Sequence, residues 1–464
     1  MPKAREAGGL ERFLRIFADV RAGEGPTALL LLLVVFLVLT SYYFVKPLRE
    51  GWLAITEIRG LSKIQIKAYS SFGQSVLLIG IAPFLGWLAS HLKRRALLTS
   101  ATIVFTGNLL MFWLVRPVEG GPTSAALGIL FYLWVGVYGV TTVTLSWAFA
   151  ADLYSVRRGE RLLPLVAIGA SAGAVGGSWL GERLLAVLDV WDLLIAAIVP
   201  LALALALVHL VDRRGQTGGM LRRPERRREP AAPGSGNPFV MIFGNRYLLL
   251  AALLALIVNW VNTNGENVLY AHLQEVLRHQ FAASGVTDGG ELTSLLKLET
   301  TRFYNNLYFW VNLAALLLQA FFASRIIKIG GFVAILFFTP IIALVSYGMM
   351  ATFPALALIK ILKIAENSSN YSLNNTARQI LWLPTPATMV YKAKVVIDTA
   401  FVRIGDGLAA LSVLGVSALV VSPVPLLVGL NVVLVAAWLV VARLLALENR
   451  RLVATKSSPA YSAP

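Results

Sequence analysis

The 464-residue chain is 57% hydrophobic and only 14% charged, with 41 Lys and Arg against 24 Asp and Glu, a net charge of +17. Soluble domains average about 25% charged residues, so this composition points to an all-α polytopic membrane protein rather than a soluble basic one. With no cysteine in the chain, disulfides, iron–sulfur clusters and thiol catalysis are excluded.

The basic residues argue against a nucleic-acid partner, because they crowd into short stretches between alternate apolar segments. Lys93-Arg94-Arg95, Arg157-Arg158-Arg161, the run from Arg213 to Arg228, Arg325 with Lys328, and Arg450-Arg451 are such stretches. This bias orients a multi-pass chain in the cell (inner) membrane with both termini cytoplasmic. The bilayer and a small solute are then the expected partners, for a monomeric protein without a cofactor. His91, His209, His272 and His279 are scattered and give no metal-ligand spacing.

In chain order, residues 1–26 form a cytoplasmic lead-in. Within it Leu10 to Val20 reads as a short amphipathic helix lying on the inner membrane surface. Twelve membrane-length helices follow, near 27–55, 64–90, 96–115, 124–151, 162–186, 190–211, 246–272, 303–324, 331–350, 354–380, 395–420 and 424–448. Residues 212–245 are rich in Arg, Pro and Gly and read as a basic cytoplasmic linker. The linker divides an N-terminal six-helix half (27–211) from a C-terminal one (246–448), and 449–464 form a cytoplasmic tail. Leu273 to Arg302 is expected to be the one long external loop, with a small surface helix in it. Six spans per half keep the two halves parallel, as in major-facilitator transporters.

The first span carries Lys46-Pro47-Leu48-Arg49-Glu50 just past its midpoint. A charge in the hydrocarbon slab costs a few kcal/mol on insertion scales, so three of them require partners, water or a functional role. The seventh span repeats the pattern with Asn259, Asn262, Asn264 and Glu266, and the tenth places Glu366, Asn370, Asn374 and Arg378 four apart on one ridge. Gly169, Gly173, Gly177 and Gly181 mark a close-packing face on the fifth span. Pro47, Pro83 and Pro340 predict kinks. On the eleventh span, Lys394 with Asp398 and Arg403 with Asp406 can pair along one helix. Such ion pairs suit an inward gate, whereas Lys392 and Lys394 also suit contacts to a substrate phosphate.

Three stretches resemble the nucleotide-transporter family, the plastid and rickettsial-type ATP/ADP translocases and their bacterial relatives. They are Lys46 to Glu50; Asp152 followed by Arg161 and the glycine-spaced fifth span; and Lys392-Ala393-Lys394 with Asp398 and Arg403-Ile404-Gly405. The resemblance covers nearly the whole chain and implies a major-facilitator-like fold and exchange of ATP for ADP or a related anion.

Together these readings predict a secondary transporter with alternating access and a central site between the halves. Lys46, Arg49, Asn262, Asn370, Asn374 and Arg378 would hold the solute, with Glu50, Glu266 and Glu366 balancing charge or carrying a coupling proton. Asp152, Arg161, Lys392, Lys394, Asp398, Arg403 and Asp406 would form gate pairs. Proton-coupled transport of a non-nucleotide solute and a transport-fold scaffold or sensor are the alternatives. An intramembrane enzyme is not expected, since the chain has no zinc pattern, Ser/His pairing or phosphate-cradling glycine loop.

Overall fold

The computed structural model describes residues 9–15, 18–92, 94–117, 124–154, 156–217, 237–286, 289–386 and 390–457. Among them every regular element is helical, as an apolar environment demands of a chain whose backbone groups must all be satisfied internally. The helices are α1 (Gly9–Leu14), α2 (Gly25–Ile55), α3 (Lys63–His91), α4 (Arg94–Leu114), α5 (Ala125–Leu153), α6 (Val156–Leu184) and α7 (Asp192–Thr217). After them come α8 (Pro238–Gly244), α9 (Arg246–Ala283), α10 (Gly289–Leu317), α11 (Ala323–Thr352), α12 (Leu356–Ser369) and α13 (Asn375–Ile380). The last two are α14 (Val402–Leu419) and α15 (Val424–Ser457).

Ten helical runs among the described residues are long and apolar enough to cross a membrane. One of these runs 64 residues, Gly289–Thr352, about twice what a bilayer needs at 1.5 Å per residue. It breaks at Gly331, whose φ of 64° and ψ of −159° leave the helical region. Dividing it there and adding the polar rod formed by α12 and α13 gives twelve crossings.

Two compact units emerge. The first holds 1–56, 83–230 and 288–309, the second 57–82, 231–287 and 310–464. α3 and α10 therefore each contribute to both units.

In the first unit α2 packs chiefly against α6 and α7, and the glycine stripe of α6 makes this possible. A Cβ at Gly173 would lie 2.9 Å from the Phe36 Cα and nearer still to its carbonyl oxygen; one at Gly177 would lie 2.9 Å from the Thr40 Cα. Only hydrogen at these positions lets the two backbones meet. An aromatic core fills the unit, with Trp52 against Phe131 and Trp191 at ring separations of 4.5 Å each. In the second unit α9 packs against α14 and α15, and α11 against α15.

Several expectations are corrected. The long external loop does not exist, because α9 continues to Ala283 and α10 begins at Gly289. Both extensions bury residues at helical spacing, Leu273 and Leu277 on α9 and Leu296, Thr300 and Thr301 on α10, so packing extends the helices past the apolar run. The N-terminal segment packs on the first unit, with Leu14 and Val20 buried against Ala28, Leu162 and Leu165. The linker region contains a further helix, α8, capped by the Asn237 side chain accepting from the Phe239 N–H.

Candidate functional site

Within the first unit the polar residues of α2 are held by tyrosines and by each other. The Lys46 ammonium lies over the Tyr308 ring at 3.9 Å and near Tyr43 at 5.1 Å. The face of an aromatic ring is electron-rich, so these rings hold the cation without cancelling its charge. Arg49 stacks over Tyr132 at 4.4 Å and donates through Nε and Nη2 to Glu50 Oε1 at 3.1 and 2.6 Å. Glu50 is almost fully buried, and its ion pair with Arg49 offsets part of the cost of that burial. The contacts of Tyr132 and Tyr308 with the α2 cations are the part that sequence reading did not give, because these tyrosines lie on distant helices.

A second cluster lies inside the second unit, where α9, α11 and α12 meet. Lys363 is completely buried, with its Nζ 2.9 Å from Glu366 Oε2 and 3.8 Å from Glu266 Oε1. The Tyr347 hydroxyl donates to Glu366, lying 2.9 and 3.0 Å from its two oxygens. Asn367 Nδ2 donates to Glu266 Oε1 at 2.8 Å. A Cβ at Gly265 would fall onto the Tyr347 hydroxyl and lie 2.8 Å from Lys363 Nζ, so this glycine admits both groups against the α9 backbone. Sequence spacing placed Glu266 and Glu366 in the membrane, but it gave no signal for Tyr347 or the Gly265 cradle.

The expected ridge of the tenth span is divided. A π turn at Asn370–Asn374 interrupts the helix between α12 and α13, and π turns recur at functional positions in helices. Asn374 donates to Asn370 across it at 2.7 Å. Beyond the turn, Arg378 pairs with Asp398 at 2.5 Å rather than standing with Glu366. Asn262 on α9 is half-buried, and its Oδ1 has no hydrogen-bond partner.

Among the gate residues, Lys394 lies 3.8 Å from Asp398, and Arg403 donates to Asp406 at 2.8 Å. Asp406 also accepts from the Thr263 hydroxyl at 2.7 Å, which ties α14 to α9. Lys392 lies in the π turn Val390–Lys394 and is half-buried. The Asp152 side chain lies outside the described residues. Arg161 instead pairs with Glu24, its Nη2 3.0 Å from Oε1 and its Nη1 3.2 Å from Oε2, and it also donates to the Asp19 carbonyl. Burial pushes the Glu24 carboxyl up. Hydrogen bonds from Arg161 and the Arg21 N–H, with the charges of Arg161 and Arg158, outweigh this and hold it below the ordinary carboxylate range.

Neither protein-family models nor curated proteins give a match to the chain. Solved structures do. A bacterial homologue of the iron transporter ferroportin in an inward-facing state aligns with a TM-score of 0.61 at 13% identity, covering 90% of this chain and 98% of that one. The nucleoside transporter NupG gives 0.58 at 12%, with 90% and 98% covered. An auto-inhibited POT family peptide transporter gives 0.60 at 13%, with 92% and 97% covered. The fold is major-facilitator-like. The similarity extends over nearly the full length of each neighbour, and at these identities it concerns the fold.

Proposed function

We propose that the protein is a secondary transporter of a small polar or anionic solute, working by alternating access in the cell membrane with both termini cytoplasmic. The observation that carries this reading is the α2 cluster. Lys46 and Arg49 are held in place by tyrosine rings and Glu50 inside a membrane-length apolar helix. Charges so costly to bury mark a solute pathway. The full-length similarity to structures described as nucleoside, peptide and iron transporters supports the same class. Those titles span very different cargoes, so the fold leaves the choice of solute to the side chains.

In this reading Lys46 and Arg49 engage the solute, while Asp398 and Asp406 with their basic partners work as gate latches. Exchange of ATP for ADP is its narrower form, supported by the resemblance of Lys46 to Glu50 and of Lys392 to Gly405 to the translocases. Counterflow in proteoliposomes tests both forms. Vesicles loaded with ADP take up labelled ATP if the narrower form holds, and a panel of smaller anions supplies the cargo if only the broader one does. Lys46→Ala and Arg49→Ala each reduce flux by about tenfold or more, the size of one lost charge-assisted contact. Flux unchanged in both variants refutes the assignment.

A further inference from the structure

The short helix α8 stands apart from the membrane-length helices. Ile242 is fully buried where α8 packs in the second unit, against α9 and the π turn Val390–Lys394. The helical path breaks at Asn245, whose φ of −123° and ψ of 114° are extended. The Asn245 side chain then caps α9 by accepting from the Tyr247 and Leu248 N–H groups. The chain therefore leaves the rod of α9 at Arg246, the cation that opens that helix.

The other side of α8 is apolar and bare. Val240 is 68% and Phe243 64% exposed, and Phe239 is exposed beside them. With 3.6 residues per turn the three fall within about 100° of arc, as one stripe. Its surroundings are cationic. Arg246 and Arg451 both pair with Glu448, at 3.3 and 3.2 Å, and their side chains remain 66% and 73% exposed. One carboxylate cannot neutralise two guanidinium groups. Arg450 is exposed on the same end of α15, which is tied to α9 by the Asn449 amide donating to the Tyr247 hydroxyl at 2.9 Å. The run Arg213 to Arg228, earlier in the same connection, adds more cations. Any lipid would satisfy the apolar stripe, but the arginines select an anionic one.

We propose that α8 is a docking surface for anionic phospholipid of the cytoplasmic leaflet. Phe239, Val240 and Phe243 enter the acyl boundary, and Arg246, Arg450 and Arg451 meet the lipid phosphates. The contact reaches the gate residues. The π turn against α8 carries Lys392 and Lys394. The Phe243 ring lies 6.4 Å from that of Phe401, in the π turn Ile397–Phe401 that carries Asp398. Lipid that fixes α8 thereby steadies the segment whose ion pairs act as gate latches. The choice of leaflet and this consequence rest on the transporter reading, whereas the lipid contact itself is testable without any solute.

The chain has no cysteine, so Val240→Cys carries a single nitroxide label in the full-length protein. Its collisions with oxygen, which concentrates in the acyl region, and with a nickel chelate, which stays in water, are measured in phosphatidylglycerol and in phosphatidylcholine vesicles. In phosphatidylglycerol the label is expected to meet oxygen readily and nickel rarely. Nickel accessibility rises at least about threefold in phosphatidylcholine, and by a similar factor in phosphatidylglycerol when Arg246→Gln, Arg450→Gln and Arg451→Gln are combined. Should that triple variant fold poorly, the comparison of the two lipids decides. Equal accessibility in both lipids overturns the proposal. So does a label shielded from both probes, because protein, either the connecting segment or a second copy, would then cover the stripe. Loss of counterflow with the label behaving as expected counts against the solute assignment alone, and a water-exposed label with intact counterflow against the lipid contact alone.

Discussion

The contact between α2 and α6 gives a quantitative test of how this fold is built. Gly173 and Gly176 lie on the same helix, three residues apart, yet an added Cβ meets different surroundings. At Gly173 it would lie 2.9 Å from the Phe36 Cα and carbonyl carbon and closer to the carbonyl oxygen; at Gly176 its nearest neighbours are Phe36 ring atoms at 3.6 Å. Ordinary contact begins near 3.4 Å, so Gly173→Ala demands a separation of about half an ångström or more between two backbones. Such overpacking costs about 1–3 kcal/mol. The gain in helix propensity on replacing Gly by Ala, about 1 kcal/mol, acts equally at both sites. Gly176→Ala is therefore expected to stabilise by up to about 1 kcal/mol, whereas Gly173→Ala is neutral to destabilising by about 2 kcal/mol. Gly173→Val adds two more methyl groups and destabilises further. Thermal unfolding followed by tryptophan fluorescence ranks the midpoints Gly176→Ala, wild type, Gly173→Ala and Gly173→Val, from high to low. Equal midpoints for the two alanine variants would refute the claim that backbone contact, not general packing, fixes α2 on α6.

Gly265→Ala is expected to displace Lys363 and Tyr347 and to lower the melting midpoint by more than Gly176→Ala raises it, measured in the same assay. The Glu24 carboxyl is held below its ordinary range, so its ion pair with Arg161 adds stability that is fully present above that range and is lost as pH falls through the depressed value. Glu24→Gln therefore melts below wild type at neutral pH, and the gap closes in acid; a gap that persists at the lowest workable pH would contradict the assignment. The Glu57 carboxyl is likewise lowered, first by the Lys63 charge and then by the Arg278 hydrogen bond against an opposing burial effect; being largely exposed, it should lose most of its contribution in high salt. A double-mutant cycle on Arg378 and Asp398, whose side chains are 24% and 38% exposed, should return a coupling of about 1 kcal/mol or less.

Where one helix decides the matter, the sequence was a sufficient guide. The glycine stripe, the pairs Lys394–Asp398 and Arg403–Asp406, and the polar character of α2 and α12 all follow from spacing along a single rod. What escaped were features that need two rods at once. Arg161 stands at the right place for an ion pair, but its partner is Glu24, 137 residues away. Helix ends escaped for a related reason. The polar start of α10 buries Thr300 and Thr301 and reaches Gly51 of α2, where an added Cβ would lie 2.8 Å from the Lys297 carbonyl oxygen. Hydropathy marks where lipid ends, not where a helix does. The π turn at Asn370–Asn374 is a third case, since four-residue spacing assumes an unbroken α-helix and an inserted wide turn shifts everything beyond it.

The contrast between the two buried clusters bears on what each can do. In the first unit Lys46, Arg49 and Glu50 lie together on α2, and the rings of Tyr43 and Tyr308 orient Lys46. In the second unit the buried Lys363 is shared between two carboxylates, Glu366 and Glu266. A polyphosphate brings several negative charges to a place where Glu50 stands beside Lys46 and Arg49, whereas a monoanion brings one. Repulsion between unit charges 4 Å apart is about 4 kcal/mol at an effective dielectric of 20, enough to favour the smaller anion by orders of magnitude. On this reasoning a counterflow panel should rank a monocarboxylate or monovalent phosphate ester above ADP, and ADP above ATP. The reverse order would mean that further cations join Lys46 and Arg49 around the solute, and it would restore nucleotide exchange as the better reading.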